Sequence, residues 1–177
     1  MSIKIFQEVI DFWFADEQKA NWFAKDPVFD QLITEKFEPL YLSMRTKILD
    51  AWVNQPDVLL ALVILFDQFP RNMYRGTPQS FEGDSKAIVL THYAIRKKLD
   101  VWLDSEKKQF LYMPLMHSEN INDQELSLKL FTPVHTFAKA HYDIIKQFGR
   151  FPHRNDILGR ISTPEEIEFL KTPDSHF

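Results

Sequence analysis

The sequence contains no cysteine and only four glycines among its 177 residues. It has no apolar run longer than the nine residues from Val58 to Phe66. Each shortage excludes a class of protein. Without cysteine there is no disulfide framework, thiolate zinc site or cysteine nucleophile. So few glycines fit poorly with a sandwich or barrel made of many tight turns. Nine apolar residues are far short of a membrane span. The opening MSIKIFQEVIDFWF is interrupted by Lys4, Glu8 and Asp11, which breaks the uninterrupted apolar stretch of a signal peptide. The cytoplasm is therefore the expected location. Charge of one sign is also scarce. A net charge of −4 gives no global electrostatic footprint for nucleic acid or an anionic membrane, although it leaves room for a local patch. Neither nucleic acid nor a membrane is an expected partner.

Apolar and aromatic residues are abundant. Hydrophobic residues make up 45% of the chain and aromatics 14%, with sixteen Phe and four Trp, enough for a bulky core. A chain of this length fits one domain, expected over residues 1–177, and no composition shift marks a boundary.

The apolar spacing is helical nearly throughout. Ile3, Phe6, Val9, Ile10, Trp13 and Phe14 recur at the spacing of one helical face. Asp26-Pro27 reads as an N-cap followed by proline at the first helical position. A stripe of Phe29, Ile33 and Phe37 follows, which Pro39 is expected to break, with a further helix from Leu40 to Trp52. Asp57 to Phe69 is apolar nearly all round and predicts the most buried helix; a buried strand competes, but thirteen residues favour the helix. A polar loop is expected from Arg71 to Ser80. Asp84 is expected to cap a helix with a core face of Ile88, His92, Ile95 and Leu99, and Ser105 to cap the next. One long helix is expected from Asn122 to Phe148, kinked at Thr132-Pro133 and stopped by Gly149. Thr163-Pro164-Glu165-Glu166 carries the spacing of a capping box. The expected class is all-α, with seven to eight packed helices.

Three segments concentrate chemistry. In LFDQFPRNMYRG, Asp67, Gln68, Arg71, Asn72 and Arg75 follow the most hydrophobic stretch. They read either as a clamp with Asp67 paired to an arginine, or as forked donors for a carboxylate or phosphate. In FLYMPLMHSEN, a helix-like run stops at His117, Ser118 and Glu119. A histidine beside a carboxylate can serve as acid, base or charge switch, and it can equally be a satisfied helix end. In FGRFPHRNDILGR, Arg150, His153, Arg154, Asn155 and Arg160 are interleaved with aromatics and proline, which predicts an ordered loop with its donors aimed somewhere specific. Catalytic candidates are His117, Glu119, His141 and Asp67. No two histidines have the HExxH spacing, so no metal and no cofactor is expected. Phosphate-loop, dinucleotide and serine-elbow motifs are absent from the sequence. His135 and His176 have no distinguishing context.

Together LFDQFPRNMYRG, FLYMPLMHSEN and FGRFPHRNDILGRISTPEEIEFL closely resemble signatures of an uncharacterised bacterial family, domain of unknown function 924. The VIDFWF opening, Trp22-Phe23 and the KDPVFD stretch from Lys25 to Asp30 share in the resemblance, which runs from about Val9 to Leu170. It implies packed helical hairpins similar to tetratricopeptide repeats, and it implies no established activity, cofactor or catalytic residue. Glu38-Pro39 is a departure from the smoother helix the resemblance leads one to expect. Two functions remain open. One is a binding protein that holds an anionic small molecule or acidic peptide at a site shared by the Asp67–Arg75 and Arg150–Arg160 segments. The other is a hydrolase or transferase with a histidine base, an orienting carboxylate and arginines stabilising negative charge. A third, plainer reading has the motifs lock helices together while a protein partner carries the function.

Overall fold

The computed structural model describes residues 3–47, 54–131, 136–173 and 175. Among these there are eight α-helices and no strand. They are α1 (Lys4–Trp13), α2 (Pro27–Arg45), α3 (Pro56–Met73), α4 (Asp84–Arg96), α5 (Ser105–His117), α6 (Ile121–Leu130), α7 (Thr136–Phe148) and α8 (Pro164–Phe169). The all-α expectation holds, and the strand alternative for the Val58 run does not. Short 3-10 turns include Asp100–Trp102 and Pro152–Arg154. The residues fall into two compact units, Met1–Arg75 with Gln79–Pro114, and Gly76–Pro78 with Leu115–Phe177.

The first unit is organised by α3, against which α1, α2 and α4 pack. Every residue from Val58 to Phe66 on α3 is buried, which is why this stretch is apolar all round. Withdrawing each large side chain from water contributes roughly 1.5–3 kcal/mol, so α3 is the main source of cohesion. Phe6, Val9, Ile10 and Trp13 of α1 and Phe29, Ile33 and Phe37 of α2 supply the opposing faces at the spacing read from the sequence. Asp26 caps α2 through the amides of Val28 and Phe29, as Asp26-Pro27 suggested.

Pro39 was expected to break a helix, and a loop was expected from Arg71 onward; in both places the helix continues. Pro39 lies inside α2 and Pro70 inside α3. A proline lacks an N–H, so the carbonyl four residues earlier has no helical donor. Burial of Phe37, Leu40 and Tyr41 offsets that loss at Pro39, and the bonds of Arg71 and Asn72 to Asp84 and Asp30 offset it at Pro70. At Pro70 the affected carbonyl belongs to Phe66. Gly83, just before α4, is pressed against this oxygen, since a Cβ there would stand 2.1 Å from it. Only glycine permits that approach, and its Cα–H takes the place beside the carbonyl.

Three further details differ from expectation. Asp84 is the first residue of α4, whose N-cap is Gly83, and its carboxylate accepts from Arg71. The buried stripe of α4 is Ala87, Leu90, Thr91 and Ala94, one residue out of phase with the expected one, which leaves His92 exposed. A one-residue offset rotates a helical face by about 100°, enough to exchange core for solvent. The cap before α5 is Asp104, which accepts from the Lys107 N–H at 2.9 Å, and Ser105 is the first helical residue.

In the second unit the single long helix expected from Asn122 to Phe148 is two helices, α6 and α7, packed on one another. Its anticipated kink at Thr132-Pro133 lies outside the described residues. So do His135, His176 and the part of the expected Leu40–Trp52 helix from residue 48 onward; Leu40 to Arg45 belong to α2. Ile144, Ile145 and Phe151 form the apolar centre, with Phe148 and Phe169 against it. The buried face of α6 is polar: Gln124 donates to the Met116 and Ser118 carbonyls at 2.7 Å each and so caps the end of α5. Gly149 stops α7 with a left-handed backbone, φ +70°. Thr163 and Glu166 form the capping box that opens α8.

Candidate functional site

In the first unit the helix runs on through Pro70, so Asp67, Gln68, Arg71 and Asn72 stand on the last two turns of α3 and not in a loop. Asp67 is fully buried. Gln68 Nε2 donates to Asp67 Oδ2 at 2.5 Å and lies 3.2 Å from Met113 Sδ. Arg71 donates to both oxygens of Asp84, at 2.8 and 3.1 Å, and its Nη1 is 3.3 Å from Asp67 Oδ1. Arg75 makes the same fork with Asp30, 2.8 Å to each oxygen, while Asn72 donates to Asp30 Oδ1 at 2.8 Å. Helices α2, α3 and α4 are thus tied together by two guanidinium–carboxylate pairs. Bidentate pairs of this kind are among the stronger hydrogen bonds, and their planar fit fixes orientation as well as distance.

The second unit gathers eight other candidates. His117 ends α5, His141 sits in the middle of α7, and His153 and Arg154 lie on the turn after Phe151. Glu119 gives both oxygens to Arg160, at 2.7 and 3.0 Å, and also accepts from the Phe151 N–H at 2.7 Å. Burial would raise the Glu119 pKa, but Arg160 and that N–H outweigh it, and the carboxyl is held below its usual range. Arg150 makes a fork with Glu166, at 2.6 and 2.7 Å. Asn155 donates to Glu166 at 3.2 Å and to Ser162 Oγ at 3.0 Å. Arg150 above all, then the Thr163 amide and Asn155, hold Glu166 at a pKa of about 2, against the opposing effect of burial.

Phe151 is the hub of this arrangement. Its N–H and carbonyl are held by Glu119 and Arg160. The buried Arg154 guanidinium lies 4.5 Å over its ring and donates to the His117 carbonyl at 3.0 Å. The rings of His141 and His153 stand 5.5 Å from it, and His117 stands 6.2 Å from His141. His141 donates its Nδ1–H to the Phe137 carbonyl at 2.7 Å, which fixes the tautomer. Burial first, then the positive charge of His117, Arg154 and His153, push its pKa down to about 3. At neutral pH His141 is an uncharged imidazole.

The two segments expected to share one anion site belong to different units, Asp67–Arg75 to the first and Arg150–Arg160 to the second. Sequence reasoning missed four partners that define these networks: Asp30, Asp84, Glu166 and Phe151. Asp30 lay within the quoted KDPVFD stretch and Glu166 within the capping box, but nothing in their spacing announced an arginine partner many residues away. Among the described residues no group of three or more His, Asp or Glu is placed to hold a metal ion, and no helix is long and apolar enough to cross a membrane.

This is an all-helical protein whose polar motifs are wired into its helix ends, a class defined by architecture and not by a reaction. The chain belongs to the family of bacterial proteins of unknown function designated domain of unknown function 924, whose match spans residues 9–174. It is similar to a solved protein of unknown function from Agrobacterium tumefaciens, with 35% identity, a TM-score of 0.89, and coverage of 95% of this chain and 97% of that one. Among curated proteins none matches the chain.

Proposed function

We propose that the protein binds an anionic small molecule or an acidic peptide end in its second unit, at His117, His153 and Arg154. The observation that carries this reading is the distribution of charge. Arg71, Arg75, Arg150 and Arg160 each spend their forked donors on a carboxylate of the protein. Around Phe151, by contrast, the His141 and His153 rings and the Arg154 guanidinium gather, with His117 6.2 Å from His141. The charge of His117, Arg154 and His153 adds to burial, the larger cause, in lowering the His141 pKa. An anion placed among them lowers the energy of every group in the cluster. Half-exposed His117 and His153 give it access. The enzyme reading is weaker on the same grounds: a histidine that protonates only near pH 3 is a poor general base at pH 7. A tetratricopeptide-like helical array and a cytoplasmic location accompany the proposal, since such arrays commonly present concave binding faces.

The test is thermal shift with inorganic phosphate, nucleotides and dicarboxylates, on wild type and on His117→Gln, His153→Gln and Arg154→Met proteins. A compound at about 100 times its Kd adds about 2.7 kcal/mol to the folded state, a shift of several degrees. The expected result is a shift for wild type that is lost in variants whose own melting is unchanged. No shift with any compound, or one that survives all three substitutions, sinks the proposal.

A further inference from the structure

In the first unit, the segment from Arg96 to Trp102 carries a feature that none of the polar networks uses. Arg96 is the last residue of α4, Lys97 follows it, and Lys98 takes the left-handed conformation at φ 56° that turns the chain out of the helix. The chain then makes the 3-10 turn Asp100–Trp102 before α5. Half-buried Leu99 and buried Leu103 pin the two ends of that turn, with Leu99 N–H donating to the Ala94 carbonyl and Leu103 N–H to the Asp100 carbonyl, both within 3.1 Å. Between these anchors Val101 and Trp102 are left in solvent, 60% and 78% exposed.

Trp102 is the most exposed tryptophan among the described residues, and its ring stacks on no other described aromatic ring. Leaving so large an apolar surface in water is costly unless something covers it. Arg96, Lys97 and Lys98 are all exposed, and none forms an ion pair with another of the described residues. Arg96 and Lys97 lie over the Tyr93 ring at 5.6 and 6.0 Å, which leaves their charges facing solvent. Three cations at the end of a helix also complement its dipole, but that effect asks nothing of Val101 and Trp102. The two acids in the same stretch are already engaged, Asp100 by the Tyr112 hydroxyl at 2.6 Å and Asp104 by the Lys107 N–H.

We propose that Val101 and Trp102, with Arg96, Lys97 and Lys98 behind them, form a reversible contact with an anionic lipid surface. Tryptophan belongs at the boundary between headgroups and acyl chains, where its ring is dry and its N–H wet. Lysine and arginine stems lie along such a boundary with the charges among anionic headgroups. Size distinguishes this occupant from others. Two adjacent apolar side chains are far less than a standard protein interface of about 800 Å² per partner. A single-stranded nucleic acid needs a row of stacking rings and a cationic groove, and here one ring serves three adjacent charges. A bilayer deforms around a small wedge and needs no matching groove. With three charges and one wedge the contact is weak and salt-sensitive, in keeping with a chain of net charge −4.

The experiment is co-sedimentation of the full chain with vesicles of phosphatidylcholine alone and of phosphatidylcholine containing phosphatidylserine, at low and physiological salt. Wild type is expected to sediment with the anionic vesicles only, and less as salt rises. Each of Arg96→Gln, Lys97→Gln and Lys98→Gln is expected to lower partitioning roughly fivefold. Trp102→Ala, at a position whose side chain holds nothing in place, is expected to lower it further without changing the melting temperature. Equal sedimentation with both vesicle types, none with either, or full binding by the Trp102→Ala protein overturns the proposal. So does preferential binding of a single-stranded oligonucleotide, which would assign the patch to nucleic acid.

Discussion

The two units partner the same residue types differently. In the first, Arg71 and Arg75 sit on or just past α3, and each meets a carboxylate from a neighbouring helix, so the charges cancel where the helices cross. In the second, Arg150 and Arg160 do the same for the loop between α7 and α8, whereas Arg154 lies over the Phe151 ring and donates to the His117 carbonyl. An arginine-rich motif is therefore neither a site nor a clamp in itself. The local balance of guanidinium against carboxylate decides which it becomes.

The largest effect that could break this comparison is expected in the first unit. Arg71→Met keeps the side-chain volume but removes the guanidinium from fully buried Asp67 and from Asp84. Breaking a buried pair on one side costs about 3 to 5 kcal/mol, measurable by urea denaturation. If this variant were as stable as wild type, the network would not be a clamp, and a ligand role for Arg71 would reopen. A somewhat smaller loss, about 3 kcal/mol, is expected for Gly83→Ala, because the new methyl meets the Phe66 carbonyl and α3 and α4 must part. Tolerance of that substitution would show that α4 approaches α3 less closely than described.

The second unit should show itself in pH dependence. The folded protein keeps His141 unprotonated down to about pH 3, while the unfolded chain takes up the proton near 6.5. Between those values the unfolded state binds more protons, so stability falls as pH falls, by about 1.4 kcal/mol per pH unit for one proton. Glu166 adds a loss of the same direction lower down. Its folded pKa of about 2 lies below the ordinary 4.5, so the stability it contributes is present above 4.5 and disappears as pH drops towards 2. His141→Gln should flatten the limb between 6.5 and 4.5 and leave the lower one. An unchanged profile would mean that His141 is not held neutral by its surroundings.

Much of the fold was legible in the sequence because it is local. The caps at Asp26 and Thr163, the stop at Gly149, and the all-round apolar α3 follow from the dihedral preferences and burial of residues near one another in the chain. Misreadings arose where burial overrode local preference. Pro39 and Pro70 did not stop their helices, because the turn after Pro39 is packed through Leu40 and Tyr41 and the turn after Pro70 is held by the hydrogen bonds of Arg71 and Asn72. On α4 the core face was misjudged by one residue, since Ile88 and Ile95 resemble core positions as closely as Ala87 and Ala94 do, and only the close approach to α3 favours the small residues.

The candidate site was legible as a set of residues and not as a set of partners. The sequence by itself determined an all-helical chain, the family it belongs to, and the three segments that hold its polar chemistry, because periodicity, capping and motif are written in neighbouring positions. Only the tertiary structure decided that Arg160 meets Glu119 across 41 residues and Arg75 meets Asp30 across 45. It also decided that Arg154 is laid over Phe151 beside the histidines. Which charge neutralises which is fixed by distances in space, and at these separations chain order says nothing about them.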